Sequence, residues 1–201
     1  SMEIERTIEP SVLSGKDVIQ SICQINGCFG HIGRDGKFKY VFLETIKGGL
    51  YPSNDIYPAN DLYPQQPNVQ VVGSGLYVDK PTYEDFTVKP IDKLQIRQKE
   101  GDIGVIVGDG DNTYIIEDNF LVFGKSTEDL TVIAENMLSV IYGLEYRPFE
   151  ATLVGNPCFE VGDAVRLHTK YQIIDSYVLQ RTLNGVQSLR DDFSAEGEEY
   201  Q

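Results

Sequence analysis

Two segments of the chain carry apolar residues at helical spacing. The first begins after Ser14, which suits an N-cap, and stops at Gly27, which suits a left-handed C-cap. The second has the more regular pattern, and its apolar positions all fall on one helix face: Leu130, Ile133, Ala134, Met137, Leu138 and Ile141. Ser126 precedes this face in a capping position and Gly143 follows it, so the pattern predicts a helix near 127–142.

A hairpin is predicted directly after the first helix. Asp35-Gly36 separates two runs of aromatic and β-branched residues, 28–32 and 38–43, and an Asp-Gly pair accommodates the positive φ that a tight turn requires. Polar and aromatic residues alternate along the second run. The alternation predicts one polar face and one buried face, with Phe38 and Tyr40 on the buried side.

Short runs of β-forming residues continue from residue 85 onwards, separated by turns that contain glycine. Asn184-Gly185 marks another hairpin turn. The runs predicted as strands are 86–88, 93–97, 103–107, 114–116, 120–123, 149–154, 164–169, 172–180 and 187–195.

A six-residue repeat of about two and a half copies precedes these strands. It places Tyr51, Tyr57 and Tyr63 at equal spacing, each followed by a proline. Proline restricts φ, and the Asn-Asp pairs of the repeat form local side-chain turns, so the repeat predicts serial turns. Two interpretations remain open, namely a loop anchored by its apolar side chains and a surface on which the three tyrosines contact a partner.

Together these elements predict an α+β fold that is rich in β structure. A small helix-plus-hairpin unit is expected at 1–50, followed by the Tyr-Pro connection at 51–82. An antiparallel, β-barrel-like unit is expected at 83–197, with the helix near 127–142 packed across it. The acidic end of the chain, 198–201, is expected to fray.

Composition narrows the classes of function. The chain has 201 residues, with 17 Lys and Arg against 31 Asp and Glu, which gives a formal net charge of −14. Such a surplus of negative charge repels phosphates and disfavours nucleic-acid binding that ignores sequence. No apolar run approaches the roughly 18 residues of a membrane span, so membrane insertion is not expected. Three cysteines, an odd number, predict reduced thiols rather than a disulfide framework.

The cysteines and histidines offer two candidate sites. Cys23, Cys28 and His31 are spaced closely enough to suggest a metal cluster, but structural zinc sites usually take four ligands. Buried thiols beside a hairpin imidazole are the alternative. Cys158 and His168 would give nucleophilic chemistry as a thiolate–imidazole pair. Cys158 nevertheless follows a proline at a strand corner, which does not resemble a nucleophile turn.

The loop 108–112 also carries candidate chemistry. Its side chains Asp109, Asp111 and Asn112 offer oxygen ligands of the kind that calcium binds, although the loop departs from the EF-hand pattern. The same residue types form hairpin turns between apolar runs, which is the alternative interpretation. Patterns typical of zinc peptidases, serine hydrolases and phosphate-binding loops are absent from the sequence. The sequence therefore predicts no enzyme and no cofactor.

Several stretches, in their order along the chain, resemble the tail-hub structural proteins of phages and prophages of Gram-positive bacteria, which are grouped with tail-associated and prophage endopeptidase-tail proteins. The resemblance covers most of residues 14–197. The stretches that carry it are the helix and hairpin 17–43 with its Gly33–Phe38 turn, the repeat 51–64, Ile91–Ile96, Asn112–Leu121, Gly155–Pro157 with Glu160–Asp163, and the Arg181–Gly185 turn.

This resemblance implies a non-enzymatic hub protein, related in architecture to the baseplate hub of contractile tails. In that architecture β-barrel tube domains, joined by α+β pieces, assemble as a homotrimeric ring that links the tail tube to the tail tip. It also implies folding in the bacterial cytoplasm, assembly into the virion tail and contact with other tail proteins. Relative to the family pattern, the chain resembles a C-terminal fragment. A net charge of −14 suits a tube that passes DNA without holding it.

Two other classes of function remain open. A binding module for host cell-wall carbohydrate, or for a tail partner, predicts exposed tyrosines in the repeat, because stacking surfaces must face solvent. An enzyme, such as an accessory domain of a cell-wall hydrolase, predicts a cleft in which carboxylates converge. The structural class instead predicts exposed apolar or strand-edge surfaces on the β-rich unit and no deep polar pocket.

Overall fold

The computed structural model describes residues 13–46, 49–51, 63–65, 69–99, 101–185 and 187–199. These residues form two compact units, each built from two segments of the chain. The helices and strands are α1 (Gly15–Asn26), β1 (Phe29–Ile32), β2 (Phe38–Val41), β3 (Gly49–Tyr51), β4 (Tyr63–Gln65), β5 (Val69–Val72), β6 (Thr82–Tyr83), β7 (Lys93–Ile96), β8 (Val105–Gly108), β9 (Thr113–Ile116), α2 (Thr127–Ile141), β10 (Phe149–Val154), β11 (Ala164–His168), β12 (Ile173–Tyr177), β13 (Gln180–Asn184) and β14 (Arg190–Ala195).

Both predicted helices form, and Ser14, Gly27 and Ser126 cap them as predicted. The second helix ends one residue earlier than expected, because Tyr142 and not Gly143 is the C-cap of α2. At the start of α1 the Ser14 hydroxyl accepts the Asp17 backbone N–H at 3.2 Å, and the Asp17 carboxylate accepts the Ser14 backbone N–H at 2.9 Å. The Ser14 hydroxyl also donates to the Asp17 carboxylate at 2.7 Å. The hydrogen bonds that this carboxylate accepts, first from the Ser14 hydroxyl and then from the Ser14 backbone N–H, lower the pKa of Asp17. Gly27 ends α1 with a φ of 64°. Ser126 caps α2 by accepting the Asp129 backbone N–H at 3.1 Å.

The first unit contains the described residues up to Leu43 together with Lys89–Leu144. In it α2 packs on α1 and on a three-stranded sheet in the order β8-β7-β9. The sheet is mixed, because β7 is antiparallel to β8 and parallel to β9. The core of this unit consists of Leu94, Ile96, Val105, Ile116, Val122, Leu130, Ala134, Met137 and Ile141.

Two strand predictions in this unit are wrong. Loop 108–112 was expected to close a hairpin between β8 and β9, but it crosses the end of β7, which lies between them. Asp92, just before β7, holds the crossing by accepting the Asn112 backbone N–H at 2.8 Å. Residues 120–123 form turns and no strand, because the buried Asn119 side chain accepts the Leu121 backbone N–H at 3.0 Å and so bends the chain.

The second unit contains the described residues of Glu44–Val88 together with those of Glu145–Glu199. Its strands form a four-stranded sheet in the order β13-β14-β10-β6, a three-stranded sheet in the order β12-β11-β5 and the two-stranded pair β3-β4. The first sheet is antiparallel, whereas β11 pairs with β5 in parallel. The core of this unit consists of Val72, Phe149, Ala151, Leu153, Phe159, Val165, Leu167, Ile174, Val178, Phe193 and Ala195.

Two further predicted strands differ in this unit. Residues 86–88 contribute only one bridge, between Val88 and Tyr146. The run 172–180 was expected to be one strand, but it is divided between β12 and β13, which belong to different sheets. The Val178 backbone N–H still donates to the Asp163 carbonyl, at 2.9 Å, in register with the β11–β12 ladder. The break follows at Leu179, whose N–H donates instead to the Ser194 carbonyl of β14 at 3.1 Å.

The α+β, β-rich class predicted from the sequence is confirmed. Within the described residues the strands form several small sheets and no closed barrel. Each compact unit combines two separate segments of the chain. The division into domains expected from the sequence, at 1–50, 51–82 and 83–197, stays a prediction. Neither helix in the described part of the chain has the length and hydropathy that crossing a membrane requires.

Candidate interaction surface

The proposed cation-binding residues lie on the loop that crosses the end of β7. The Asn112 side-chain amide donates to the Lys89 and Pro90 carbonyls at 3.1 Å each, so it ties the loop to the segment before β7. A Cβ at Gly110 would overlap the Asp92 carboxylate, which shows how closely the loop wraps around it. In the ranges that the structure describes, no group of three or more His, Cys, Asp and Glu residues is arranged to hold a metal ion.

The cysteines are free thiols in different surroundings. Cys23 is buried in α1, Cys28 is partly buried at the end of the connection to β1, and Cys158 is exposed. Burial raises the pKa of Cys28 to about 11, and the neighbouring Cys23 adds to the effect. A thiol with this pKa stays protonated at neutral pH and is a poor nucleophile and metal ligand.

The three tyrosines of the repeat remain untested as a contact surface. Tyr51 and Tyr63 lie opposite each other in the β3–β4 pair. Their side chains, and Tyr57 altogether, lie outside the described residues. The carbohydrate-binding or partner-binding role that was expected of these residues therefore stays a prediction.

A surface that the sequence did not predict lies beside α1 and the β1–β2 hairpin. A cavity of about 720 Å³, here called the hairpin groove, is lined by Lys16, Ile19, Gln20, Cys23, Gln24, Cys28, Phe29, Gly30, His31, Ile32, Phe38 and Tyr114. Its walls come from α1, the hairpin and β9, all within the first unit. Apolar side chains make up much of this lining, which is the composition of a binding groove.

The exposure of the hairpin contradicts the expected buried face. Phe38 is 40% exposed and Tyr40 is 45% exposed, and their rings meet edge to face with centroids 5.0 Å apart. Ile32 and Phe42 are exposed as well. The alternation is real, but α1 covers this face only in part, so these side chains stay exposed in the described part of the chain. Alternation thus identified the face correctly and could not show whether anything covers it.

The close approach of Phe38 to the hairpin depends on a glycine. A Cβ at Gly30 would lie 2.6 Å from the Phe38 ring and 3.4 Å from Ile19. The absence of a side chain at Gly30 therefore lets the Phe38 ring approach the β1 backbone closely. A lone glycine in a strand is the sequence signal that could have indicated this packing.

Positive charge surrounds the hairpin in an otherwise acidic chain. Residues 29–43 contain three cations, Arg34, Lys37 and Lys39, against a single anion, Asp35. Lys39 lies 3.7 Å from Asp35, and both side chains are more than 40% exposed. Solvent screening makes such an exposed pair worth little, and the segment carries more positive than negative side chains.

The second unit also exposes apolar side chains next to strand edges. The larger of its sheets ends in β13 and β6, the three-stranded one ends in β12 and β5, and no described strand covers these edges. The exposed large apolar residues on or beside its strands include Val71, Val154, Tyr171, Ile173 and Leu183. Apolar strand edges of this kind invite pairing with another chain.

Two smaller cavities in the second unit do not resemble catalytic clefts. One, of about 560 Å³, is lined by Lys80, His168 and Lys170 with Asp79 as its only lining carboxylate. Burial raises the pKa of Tyr77, which also lines it, to about 12, so this hydroxyl is no general base at neutral pH. The other, of about 290 Å³, has three glutamates in its lining, and all three are exposed to solvent.

A buried ion pair holds the corner between β10 and β11. Arg181 on β13 donates two hydrogen bonds of 2.7 Å to Asp191 on β14, whose side chain is only 1% exposed. The same guanidinium also donates to the carbonyls of Asn156 and Phe159. Gly155–Pro157 and Arg181–Gly185 belong to the stretches that carry the family resemblance, and this pair joins them through Asn156. Sequence reasoning missed the pair, because only the β13–β14 register brings the two residues together.

No protein-family model matches the chain, and comparison with curated protein sequences finds no match either. Among solved structures, the chain is similar to the 43 kDa tail protein of prophage MuSo2 from Shewanella oneidensis, at 12% identity and a TM-score of 0.44, over 93% of this chain and 53% of that one. It is similar to the tail protein from Neisseria meningitidis MC58 at 11% identity and a TM-score of 0.46, over 93% and 55%. The p2 virion baseplate matches at 12% identity and a TM-score of 0.25, over 98% and 57%.

The chain thus spans little more than half the length of each of these structures. The first two are tail proteins, and the third is a virion baseplate. Their identities and TM-scores assign no role to any single residue of this chain, so the surfaces described above have to be judged by their own chemistry.

Proposed function

We propose that this chain is a structural component of a phage or prophage tail, a hub-like or baseplate-like protein that links the tail tube to the tail tip. It acts by offering surfaces to copies of itself and to other tail proteins, in the virion tail, after folding in the cytoplasm of the bacterial host. The observation that carries the proposal is that large apolar side chains lie exposed beside strand edges which no described strand covers. The ordered resemblance of its motifs to tail-hub proteins supports the same role.

The energetics favour assembly. Phe38, Tyr40, Ile32 and Phe42 are each between 40% and 59% exposed. Covering the exposed part of one such side chain contributes about 1 kcal/mol, so this patch alone offers several kcal/mol to an interface. Pairing a free strand edge adds main-chain hydrogen bonds at the same place. An assembly role uses both contributions, whereas a monomeric enzyme would gain from neither.

In this proposal the full assembly is a homotrimeric ring, and the negative charge of the chain keeps DNA from binding to it. A ring through which DNA passes works best without phosphate contacts, because each contact releases counterions and holds the nucleic acid in place. A formal net charge of −14 provides this repulsion.

Two measurements test the proposal. Antibodies raised against the chain should label one end of the tails in particles released by the encoding phage or prophage, as seen by immunogold electron microscopy. Light scattering of the purified chain over a concentration series should show a mass that rises towards a trimer. Particles whose tails carry no label, while the protein is detected in the cell lysate, would overturn the role in the tail. A monomer at every concentration would remove self-assembly of this chain from the proposal.

A further inference from the structure

We propose that the free edge of β2 and the hairpin groove beside it bind an acidic segment of a partner protein in extended conformation, with apolar side chains at alternate positions. The inference rests on the proposed function in one respect only, namely that the partner is another tail protein. The binding chemistry follows from the hairpin alone, in three steps concerning its backbone, its side chains and its charge.

The backbone of β2 is ready to accept a strand. Gly33 donates its N–H to the Lys37 carbonyl at 2.9 Å, and hydrogen-bonded pairs alternate from there along the antiparallel ladder. Lys39 and Val41 therefore bond to β1, while the N–H and C=O groups of Phe38 and Tyr40 point away from it. No described strand pairs with β2 on that side. A peptide added there would satisfy these groups by main-chain hydrogen bonds.

The side chains of the same two residues provide the apolar contacts. Phe38 and Tyr40 project to one face of β2, where Ile32 of β1 and Ile19 of α1 are also exposed. An added strand presents every second residue to this face. The hairpin groove of about 720 Å³, which Phe38 lines together with the buried Cys23, has room for such side chains. Apolar residues at alternate positions of the partner would therefore be buried against the hairpin.

Charge identifies the partner and argues against a second copy. If two β2 edges paired with each other, Lys37 and Lys39 of one copy would lie close to the same residues of the other, and like charges across a strand pair are destabilising. Lysines on an edge strand commonly prevent such self-pairing. Aspartate or glutamate at the intervening positions of a partner strand would instead meet these lysines favourably. The edge of β2 therefore disfavours its own copy and favours an acidic strand.

The test uses the full chain and a defined peptide probe. The probe is an acetylated, amidated and fluorescently labelled peptide of eight residues that alternates glutamate with valine, and its counterpart alternates lysine with valine. Fluorescence anisotropy measures binding, and nuclear magnetic resonance locates it. The glutamate probe should bind, should shift the amide signals of Phe38 and Tyr40, and should bind more weakly at high salt. The lysine probe should bind at least tenfold more weakly.

Charge reversal provides the decisive comparison. The double variant Lys37→Glu with Lys39→Glu should bind the glutamate probe about tenfold more weakly, because two favourable charge pairs become unfavourable. It should now bind the lysine probe, because the same two positions become favourable for lysine. Lys99→Glu, on the bend after β7, makes the same kind of charge change in the same unit and should alter binding less than twofold. Gain of lysine-probe binding shows that the variant hairpin is folded.

Three outcomes would overturn the inference. These are failure of the glutamate probe to bind, equal binding of both probes to the unaltered chain, and chemical-shift changes located away from β2. Self-association of the chain that is lost in the Phe38→Ser variant would also overturn the inference, because the exposed face of β2 would then bind a second copy. Probe binding without tail labelling would contradict the proposed function alone, and tail labelling without probe binding would contradict this inference alone.

Discussion

Arg181 and Asp191 form the most deeply buried ion pair in the described residues, with side chains 11% and 1% exposed. In Arg181→Met the Asp191 carboxylate loses both 2.7 Å hydrogen bonds and keeps only a backbone N–H of Asn156 at 3.3 Å. The carbonyls of Asn156 and Phe159 lose their donor in the same variant. Breaking a buried pair in this way costs about 3–5 kcal/mol of folding stability.

Arg166→Met is the matched control. Arg166 also donates two hydrogen bonds to an aspartate on the neighbouring antiparallel strand, Asp175, at 2.6 and 2.8 Å. Their side chains are 32% and 37% exposed, so water screens the pair and replaces the lost partner. The control variant should therefore cost no more than about 1 kcal/mol. The two substitutions are chemically identical and differ mainly in burial.

The assay is equilibrium unfolding in urea, followed by far-ultraviolet circular dichroism and by tyrosine fluorescence, since the chain has no tryptophan. With an m-value of about 2 kcal/mol/M, the midpoint should fall by about 2 M for Arg181→Met and by less than about 0.5 M for Arg166→Met. Equal shifts would refute the reasoning. If Arg181→Met does not fold, Arg181→Met with Asp191→Leu should recover most of the stability, because apolar side chains of similar size replace the pair. No recovery in the double variant would also refute it.

Three further predictions concern the backbone and the thiols. Gly108→Ala should destabilise the chain by more than about 2 kcal/mol in urea unfolding, because φ is +84° and the new Cβ would lie 2.2 Å from the Asp92 carbonyl. Gly36→Ala, at a φ of +71° and with open space around the new Cβ, should cost about 1 kcal/mol. Equal costs for the two variants would contradict this reasoning. In the folded chain at pH 8 a thiol-specific reagent should modify Cys158 first and Cys28 far more slowly. Because the pKa of Cys28 rises from 9.0 to about 11 on folding, its contribution to stability is complete below pH 9 and is lost as the pH rises towards 11, and stability unchanged over this range would contradict the shift.

The sequence predicted those features whose cause lies within a few residues. The Ser14 and Ser126 caps, the stop at Gly27 and the apolar face of α2 all depend on contacts between residues three or four positions apart. The Asp35-Gly36 turn and the Asn184-Gly185 turn are similarly local, and both connect antiparallel strands. These features were therefore available without knowledge of the rest of the chain.

Errors arose where a distant residue decides the outcome. Two apolar runs around loop 108–112 look like a hairpin, but β7 enters between them and Asp92 anchors the crossing. The run 120–123 is apolar enough for a strand, yet Asn119 turns it, and the Asn119 side chain also donates to the Ser21 carbonyl at 3.0 Å, 98 positions away. Hydrophobic pattern records which residues avoid water and does not record which partner covers them.

The candidate surface shows the same division. Sequence alone determined that Phe38 and Tyr40 share one face of a hairpin next to lysines, because side chains alternate along any strand. Only the tertiary structure decided that this face is exposed, that its backbone groups point to a free edge, and that Arg181 meets Asp191 in the interior. Exposure and pairing depend on the packing of segments far apart in the chain, and that packing is set by the combined burial of many residues rather than by any local pattern.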